Sequence, residues 1–271
     1  MSERNLHEEI RAAWEIVATA KYHGELDDHV EFLRSGGHTL LRPELELLAD
    51  LLPSCRRVIV LQCSHGLDAL GLLNLGVREV VGVDISEEMI RQAERKTAAL
   101  DAAARFHRAD VLEAPVELNG TADLIYTGKG SLPWIIDLDA WAATVERLLM
   151  PGGRIFIFEG HPLDALWDHE AERFQIDERS AGYFAEEPRE SSGFPASLLR
   201  RVAAGKRAPR LMERFWRPGQ VIDRLLRVGL RLEAFDEHPE IYWNQFPNIP
   251  EPTLRLLPHS YSALAQKSGE V

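Results

Sequence analysis

The chain has 271 residues, 45% of them hydrophobic, and its 43 acidic and 31 basic side chains give a net charge of −12. This length suits one α/β domain with added elements, and the acidic balance disfavours nucleic acid as a partner because phosphate binding needs a basic surface. Two cysteines, a polar N-terminus and no apolar run of about 18 residues predict a cytoplasmic protein without disulfides or a membrane span.

The first 52 residues are predicted to be helical. Apolar side chains recur at helical spacing in residues 6–20, and shorter helical patterns occupy 27–33 and 43–52, the last stopped by Pro53. Because no strand pattern precedes residue 57, we interpret this part as a helical cap in front of the sheet.

The next stretch, residues 57–86, predicts a βαβ unit. Four consecutive apolar residues (58–61) indicate a strand covered on both faces, and a tight loop, a helix and a second strand follow. Asp84 ends the second strand, 18 residues beyond Gly66. At about 20 residues from such a loop an acid reaches the ribose of a bound nucleoside, so the unit predicts a nucleoside-containing cofactor.

The loop itself, residues 62–66, narrows the choice of cofactor. A dinucleotide site needs the glycines of G-x-G-x-x-G so that the pyrophosphate can approach the backbone, and this loop has only Gly66. NAD and FAD are therefore disfavoured. S-adenosylmethionine, which carries an amino-acid tail and a sulfonium, needs no phosphate cradle.

Three more strands and their following loops complete the parallel part. A third strand over 104–109 ends at Asp110, and a fourth over 122–126 leads into a glycine-containing loop with Lys129, which we expect to be solvated. A helix and the turn at 150–153 precede a fifth strand, 154–158. Glu159 to Pro162 then emerge at the carboxyl edge, where catalytic groups collect in open α/β folds.

Residues 161–217 lack clear periodicity and are predicted to form a lid over a substrate pocket. Their basic segment, 200–217, is interpreted as a solvated face, with contact to an anionic substrate as the alternative. A helix from Pro218 and two final strands, 230–235 and 259–267, follow.

These residues resemble the class I (Rossmann-like) S-adenosylmethionine-dependent methyltransferases. The resemblance is carried by Gln62 to Asp68, by Gly82 to Ser86 and by the Leu-Leu-x-Pro-Gly-Gly pattern at 148–153, and it is nearest to the bacterial small-molecule branch whose first motif reads L-Q-C-x-x-G-x-D. At the family's usual first acid and first two glycines this chain has Val60, Gln62 and Ser64.

The resemblance implies an α/β, Rossmann-like, seven-stranded, mostly parallel sheet whose antiparallel last strand lies between strands five and six. The implied organisation is a helical N-terminal cap (1–52), an S-adenosylmethionine-binding core (53–160), a substrate lid (161–217) and a C-terminal part of the core (218–271).

The resemblance also implies the site residues. Asp84 would bind the ribose, Asp110 would accept from the adenine amino group, and Ile85 and Val111 would pack on the ring. The full set of predicted cofactor contacts is Gln62, Cys63, Ser64, Gly66, Asp68, Asp84, Ile85, Asp110, Val111, Thr127 and Gly128. The predicted substrate contacts are Tyr22, His38, Trp134, Tyr242 and Trp243.

The expected reaction is in-line methyl transfer to a small-molecule acceptor, for example in secondary metabolism, and it needs alignment but no metal. His23 on the cap and His161 at the edge of the sheet are the candidate general bases. Two alternatives stay open: a non-catalytic S-adenosylmethionine binder and a nicotinamide oxidoreductase on a related fold. The expected partner is the methyl acceptor, and a homodimer is compatible with this prediction.

Overall fold

The computed structural model describes residues 3–21, 25–191 and 209–269. Its strands are β1 (Arg57–Leu61), β2 (Glu79–Asp84), β3 (Ala104–Arg108), β4 (Ala122–Gly128), β5 (Leu149–Gly160), β6 (Arg189–Glu190), β7 (Met212–Glu213), β8 (Leu230–His238) and β9 (Ser260–Lys267). Seven of them form one sheet in the order β3-β2-β1-β4-β5-β9-β8, while β6 and β7 pair as a separate ribbon. β9 is antiparallel to both β5 and β8, and the other neighbours are parallel. The predicted mostly parallel sheet, with its last strand inserted, is confirmed.

The helices flank this sheet: α1 (Glu3–Lys21), α2 (Leu26–Arg34), α3 (Arg42–Leu48), α4 (Leu67–Leu73), α5 (Glu87–Leu100), α6 (Leu138–Leu148), α7 (Pro218–Arg227) and α8 (Glu251–Leu254). The first three precede β1, as expected for the cap, but α3 ends at Leu48 and a separate 3₁₀ turn covers Leu52–Ser54. Among the described helices, none combines the length and apolarity needed to cross a bilayer.

β1 is apolar throughout because each of its two faces packs in a different hydrophobic core. Ile59 and Leu61 pack on one face with Trp141 of α6, whereas Val58 and Val60 pack on the other with the helices of the N-terminal part. Successive strand residues point to opposite faces, so a strand covered on both sides needs apolar residues throughout. The carboxyl ends of β1, β2, β4 and β5 are thereby held at one edge, where the loops meet.

Residues 161–191 and 209–217, the described part of the predicted lid, contain little regular structure. A 3₁₀ turn at Pro162–Leu166, an isolated bridge between Trp167 and Ile176 and the β6–β7 ribbon are its elements. In the described part of the basic segment, Arg210 pairs with Glu9 of α1 at 2.9 Å. That arginine therefore contacts the cap, which differs from the expected solvated face.

Gly66 illustrates how a loop glycine positions the elements around it. It is the N-cap of α4 with φ +80°, and a Cβ added there would lie 2.7 Å from the Cβ of Ala93 in α5. A side chain would thus meet both a left-handed backbone and a steric clash, which explains why this one glycine remains in the loop.

We predict that Gly66→Ala lowers the free energy of unfolding by about 3 kcal/mol, the sum of a left-handed alanine and overpacking. Gly120→Ala is the matched control, because Gly120 has φ +64° but open space around the added Cβ. The Gly120→Ala control should lower the free energy of unfolding by about 1 kcal/mol, from the left-handed backbone alone. Urea denaturation at fixed pH measures both, and equal losses would contradict the packing argument.

Candidate functional site

A cavity of about 1130 Å³ opens at the carboxyl edge of the sheet. Its walls come from the loop after β1, the ends of β2, β4 and β5, α1 of the cap, residues 164–191 and 213–215, and residues 242–247. It is therefore bounded by all four predicted parts of the chain. This volume is at the upper end of the range typical of small-molecule and cofactor sites.

The loop after β1 keeps an unusual backbone despite its lack of glycine. Gln62 has φ 53° and Ser64 has φ 50°, so both residues adopt the left-handed region that glycine favours. These are the two positions at which the resembling family has its first glycines. The loop conformation typical of glycine is thus present with side chains added, at a cost of the order of 1–3 kcal/mol per residue that the surroundings must offset.

Asp84 provides part of that support. Its Oδ2 accepts from the backbone N–H of Ser64 at 2.8 Å, and its Oδ1 accepts from the N–H of Ser86 at 2.9 Å. Burial raises the pKa of Asp84 to about 6, against the backbone donors, which lower it. Each carboxylate oxygen has a second lone pair, so Asp84 can still accept from hydroxyl groups in the cavity.

Asp110 is the N-cap of the 3₁₀ turn (Val111–Glu113) that follows β3, and it contacts the cap. Its Oδ2 is 2.6 Å from Nδ1 of His7 in α1, and its Oδ1 accepts from the N–H of Leu112 at 3.0 Å. Burial alone would raise the pKa of Asp110, but these hydrogen bonds and the charge of His7 lower it below its ordinary value. The sequence reasoning missed His7, which lies 103 residues away in the chain.

Glu159 is a second residue that the sequence reasoning did not select. It is 3% exposed, and its carboxylate accepts from the backbone N–H groups of Gly130 at 2.7 Å and Leu132 at 2.9 Å. The hydroxyl of Tyr242 lies 3.3 Å away. Burial raises the pKa of Glu159. The strand-end rule placed this acid at the carboxyl edge of the sheet, but only His161 was selected from that stretch. Glu159 ties the β4 loop to β5 and to Tyr242.

Lys129 is not the solvated loop residue that we expected. Only 14% of its side chain is exposed, and Nζ donates to the carbonyl oxygen of Thr39 at 2.9 Å. The ammonium also lies 3.4 Å from Asp68 and 3.6 Å from the fully buried Glu44. The expectation was wrong because this loop, with Lys129 at φ 56°, turns back against the cap.

His161 lies at the edge of the cavity with both ring nitrogens engaged. Its Nδ1 accepts from the N–H of Leu163 at 3.2 Å, so the neutral ring carries its proton on Nε2, which is 2.9 Å from Glu237. Burial lowers the pKa of His161, although Glu237 opposes this effect. The result is a neutral imidazole oriented by a carboxylate.

The structure brings most of the predicted site residues to the cavity wall. Those lining it are Gln62, Cys63, Ser64, Asp68, Asp84, Ile85, Asp110, Val111, Gly128, Trp134, His161, Tyr242 and Trp243.

Three of the predicted residues do not line the cavity. Gly66 packs on α5, Thr127 is fully buried in β4, and His38 lies with its backbone against Gly71 of α4. Tyr22 and His23 fall outside the described residues.

Several aromatic rings line the cavity. Trp14 of α1 meets Trp134 edge to face with ring centroids 5.3 Å apart, and Trp167, Phe215 and Trp243 also line the wall. Rings of this kind bind the flat or apolar body of a small molecule.

Comparisons with known proteins agree with this architecture. Residues 58–153 match a family model described as "Methyltransferase domain". A comparison with curated proteins finds no match.

Solved structures share the fold. A Listeria monocytogenes protein, provisionally assigned as an S-adenosylmethionine-dependent methyltransferase, has a TM-score of 0.59 at 18% identity, covering 89% of this chain and 99% of its own. An S-adenosylmethionine-dependent methyltransferase from Mesorhizobium loti has a TM-score of 0.56 at 21% identity, covering 89% and 100%. Geranyl diphosphate C-methyltransferase from Streptomyces coelicolor, solved with S-adenosyl-L-homocysteine, has a TM-score of 0.58 at 14% identity and 97% coverage of both chains. The chain therefore has the Rossmann-like methyltransferase fold.

The buried carboxylate of Asp84 makes stability depend on pH. An unfolded aspartate titrates near pH 3.9, and because the pKa of Asp84 is raised to about 6, the folded state binds the extra proton between these values. Folding stability from this group is therefore highest below pH 4 and is lost as the pH rises through 6.

We predict that Asp84→Asn, which cannot ionise, gains stability relative to the natural chain by up to about 3 kcal/mol between pH 4 and pH 7. Urea denaturation of both proteins at several pH values measures this difference, and other titrating groups cancel in the comparison. A difference that stays constant over this range would contradict the raised pKa.

Proposed function

We propose that this protein is an S-adenosylmethionine-dependent methyltransferase of class I that acts on a small-molecule acceptor. The observation that carries the proposal is the pair of carboxylates Asp84 and Asp110, which follow β2 and β3 and face one cavity beside a glycine-type loop. The methyltransferase domain match over residues 58–153 and the fold support the same reaction class.

The residues present fit the adenosine part of this cofactor. Asp84 has lone pairs left for two ribose hydroxyls, and Asp110 has acceptor capacity for an exocyclic amine. Ile85 and Val111 supply apolar surface next to these acids, as an adenine ring requires. Gln62, Ser64 and Asp68 line the neighbouring wall, where we place the methionine part.

When bound, S-adenosylmethionine supplies a methyl group activated by its sulfonium. The protein then has to hold an acceptor in line with that methyl group at about 3 Å and to exclude water. The loop at Gly128 and Gly130 lines the same cavity as the loop after β1, and Glu159 fixes this loop through the N–H of Gly130. Trp14 and Trp134 also line this cavity.

His161 is our proposal for the general base, and His23 on the cap stays a second prediction. His161 is neutral at physiological pH, and Glu237 at 2.9 Å would stabilise the imidazolium formed when Nδ1 takes a proton. The N–H of Leu163 donates to Nδ1 at 3.2 Å, at the long end of the normal range, and an acceptor's hydroxyl would have to replace this bond.

The charges of the cavity bear on the acceptor. Its permanent cations within the described residues are Lys129, Arg179 and Arg189, and each lies within 4 Å of a carboxylate. An acceptor with a diphosphate would need uncommitted cations or a metal. We therefore propose a neutral or amine-bearing acceptor with an apolar body, in contrast to geranyl diphosphate.

Two alternatives are distinguishable. A non-catalytic S-adenosylmethionine binder would keep the carboxylate pair but transfer no methyl group. A nicotinamide oxidoreductase is disfavoured, because Gln62 and Ser64 place side chains where a pyrophosphate would need bare backbone. We keep the cytoplasmic location as a prediction; both cysteines, Cys55 and Cys63, are free and buried.

We predict that S-adenosylhomocysteine binds the purified protein in titration calorimetry and that NAD does not. Asp84→Ala should weaken this binding about 100-fold, since two hydrogen bonds to a charged acceptor are lost. Asp101→Ala, which replaces an exposed acid at the end of α5, is the control and should leave the affinity unchanged.

Transfer of a labelled methyl group to a panel of amines, phenols and diphosphates then tests the class of the acceptor. No binding of S-adenosylhomocysteine would refute the proposed function, and binding without transfer to any acceptor would favour the non-catalytic alternative.

For an acceptor that must lose a proton, we predict that His161→Ala lowers kcat at least 100-fold and removes the acidic limb of the pH–rate profile. Glu237→Gln should lower kcat about ten-fold, because the imidazolium loses a partner charge. His169→Ala removes another imidazole of the same cavity and serves as control. If His161→Ala and His169→Ala have the same effect, His161 is not the base.

A further inference from the structure

Lys96 of α5 is a buried cation directly behind the loop after β1. It is 1% exposed, and its Nζ donates to the backbone carbonyl of His65 at 3.0 Å and lies 3.4 Å from Nδ1 of the same residue. Within the described ranges no carboxylate lies within 4 Å of this ammonium. A long cationic side chain is rarely buried in this way without a charged partner.

The electrostatic surroundings of Lys96 come from three elements. His65 on the loop and His29 on α2 stack with centroids 5.1 Å apart, Glu25 precedes α2, and Arg95 is the neighbour on α5. Burial, with the nearby charge of Lys96, lowers the pKa of His65 to about 3, so its ring is neutral and Nδ1 can accept from the ammonium. Burial also lowers the pKa of Lys96 to about 8, although Glu25 opposes this effect.

The bond to His65 acts on a strained segment. Gln62 and Ser64 have positive φ, a conformation that persists only where the surroundings fix it. The contacts that hold it include the side chain of Gln62 on the carbonyl of Ser131, the N–H of Ser64 on Asp84, and Lys96 on the carbonyl of His65. The N–H of Cys63 also donates to the carbonyl of Val83 at 3.1 Å. The N–H that follows this carbonyl, that of Gly66, donates to Cys63 at 3.0 Å. Both ends of the peptide group between residues 65 and 66 are therefore held.

We propose that Lys96 is a positioning residue for the cofactor: its ammonium holds the carbonyl of His65 and so keeps the loop of residues 62–66 in the conformation that binds S-adenosylmethionine. The inference rests on the proposed function, because the ligand of this loop is that cofactor. Lys96 itself does not line the cavity, so it acts through the loop.

A positioning role through charge has a specific consequence. The ammonium makes a charge-assisted hydrogen bond, which is about twice as strong as a neutral one. Loss of the proton should therefore loosen the loop and weaken cofactor binding as the pH rises from 7 to 9.5. A side chain that only filled space would give no such dependence.

The test measures the Kd of S-adenosylhomocysteine by calorimetry from pH 7 to 9.5 for the natural protein, Lys96→Met and Lys96→Arg. Lys96→Met keeps the apolar stem and should raise Kd about ten-fold at pH 7. Between pH 7 and 9.5 its Kd should change only as far as the ionisation of the ligand requires. Lys96→Arg stays charged throughout this range and should keep the affinity while flattening the profile. Arg95→Met removes an exposed charge from the same turn and should keep the natural affinity at pH 7. Because Arg95 lowers the pKa of Lys96, its removal should move the loss of affinity to higher pH.

The ligand's own amino group titrates in this range, and its effect is common to all variants and cancels in their comparison. Equal Kd values and equal profiles for the natural protein and Lys96→Met would overturn the inference while leaving the proposed function intact. If neither variant folds, the pH dependence of Kd for the natural protein tests the inference by itself. A dependence that matches the ionisation of the free ligand overturns the inference, and a steeper loss of affinity with rising pH supports it. Absence of binding by the natural protein at pH 7 refutes the proposed function instead.

Discussion

The site depends on the hydrogen bonds that the carboxylate of Asp84 makes to two backbone N–H groups. One belongs to Ser64 in the strained loop and the other to Ser86 at the start of α5. Without this acceptor, two N–H groups at a buried position would lose their partners, at a cost of about 1–3 kcal/mol each. One side chain thus fixes the end of β2, the loop after β1 and the entry to the next helix.

The same carboxylate is our proposed ribose ligand, so loop geometry and ligand binding share one residue. This sharing explains why a buried charge is kept although it costs stability near neutral pH. Its pKa of about 6 shows that burial outweighs the backbone donors. A neutral residue such as asparagine would avoid that cost, but it would replace an acceptor by a donor and remove the charge that strengthens bonds to hydroxyl groups.

Much of this arrangement was predictable from short-range patterns. The apolar run at 58–61, the spacing from Gly66 to Asp84 and the acid after the third strand each depend on a local rule, and they located the sheet and both carboxylates correctly. Element ends were less accurate: β5 begins at Leu149 rather than at 154, since the turn residues continue the strand, and α3 ends four residues before its pattern does.

Three of the missed features depend on contacts between distant parts of the chain. His7 reaches Asp110 across 103 residues, Lys129 is buried because the cap covers it, and Lys96 reads as an ordinary helix lysine until α2 and the loop enclose it. No spacing pattern in the sequence predicts these contacts between distant residues. Glu159 is the exception, because the rule that acids at the carboxyl ends of parallel strands face the site applies to it as well.

The cap is part of the site and not only a cover. In α1, His7 binds Asp110, and Glu15 accepts from the hydroxyl of Ser86 at 2.7 Å and from the N–H of Glu88 at 3.1 Å. The contacts of His7 and Glu15 involve or adjoin residues that we propose to bind the adenosine part of the cofactor. The acid of Glu15 also lies at the N-terminal end of α5, where a negative charge is favoured. A boundary at residue 52 therefore divides the sequence into cap and core, whereas the proposed cofactor site takes residues from both.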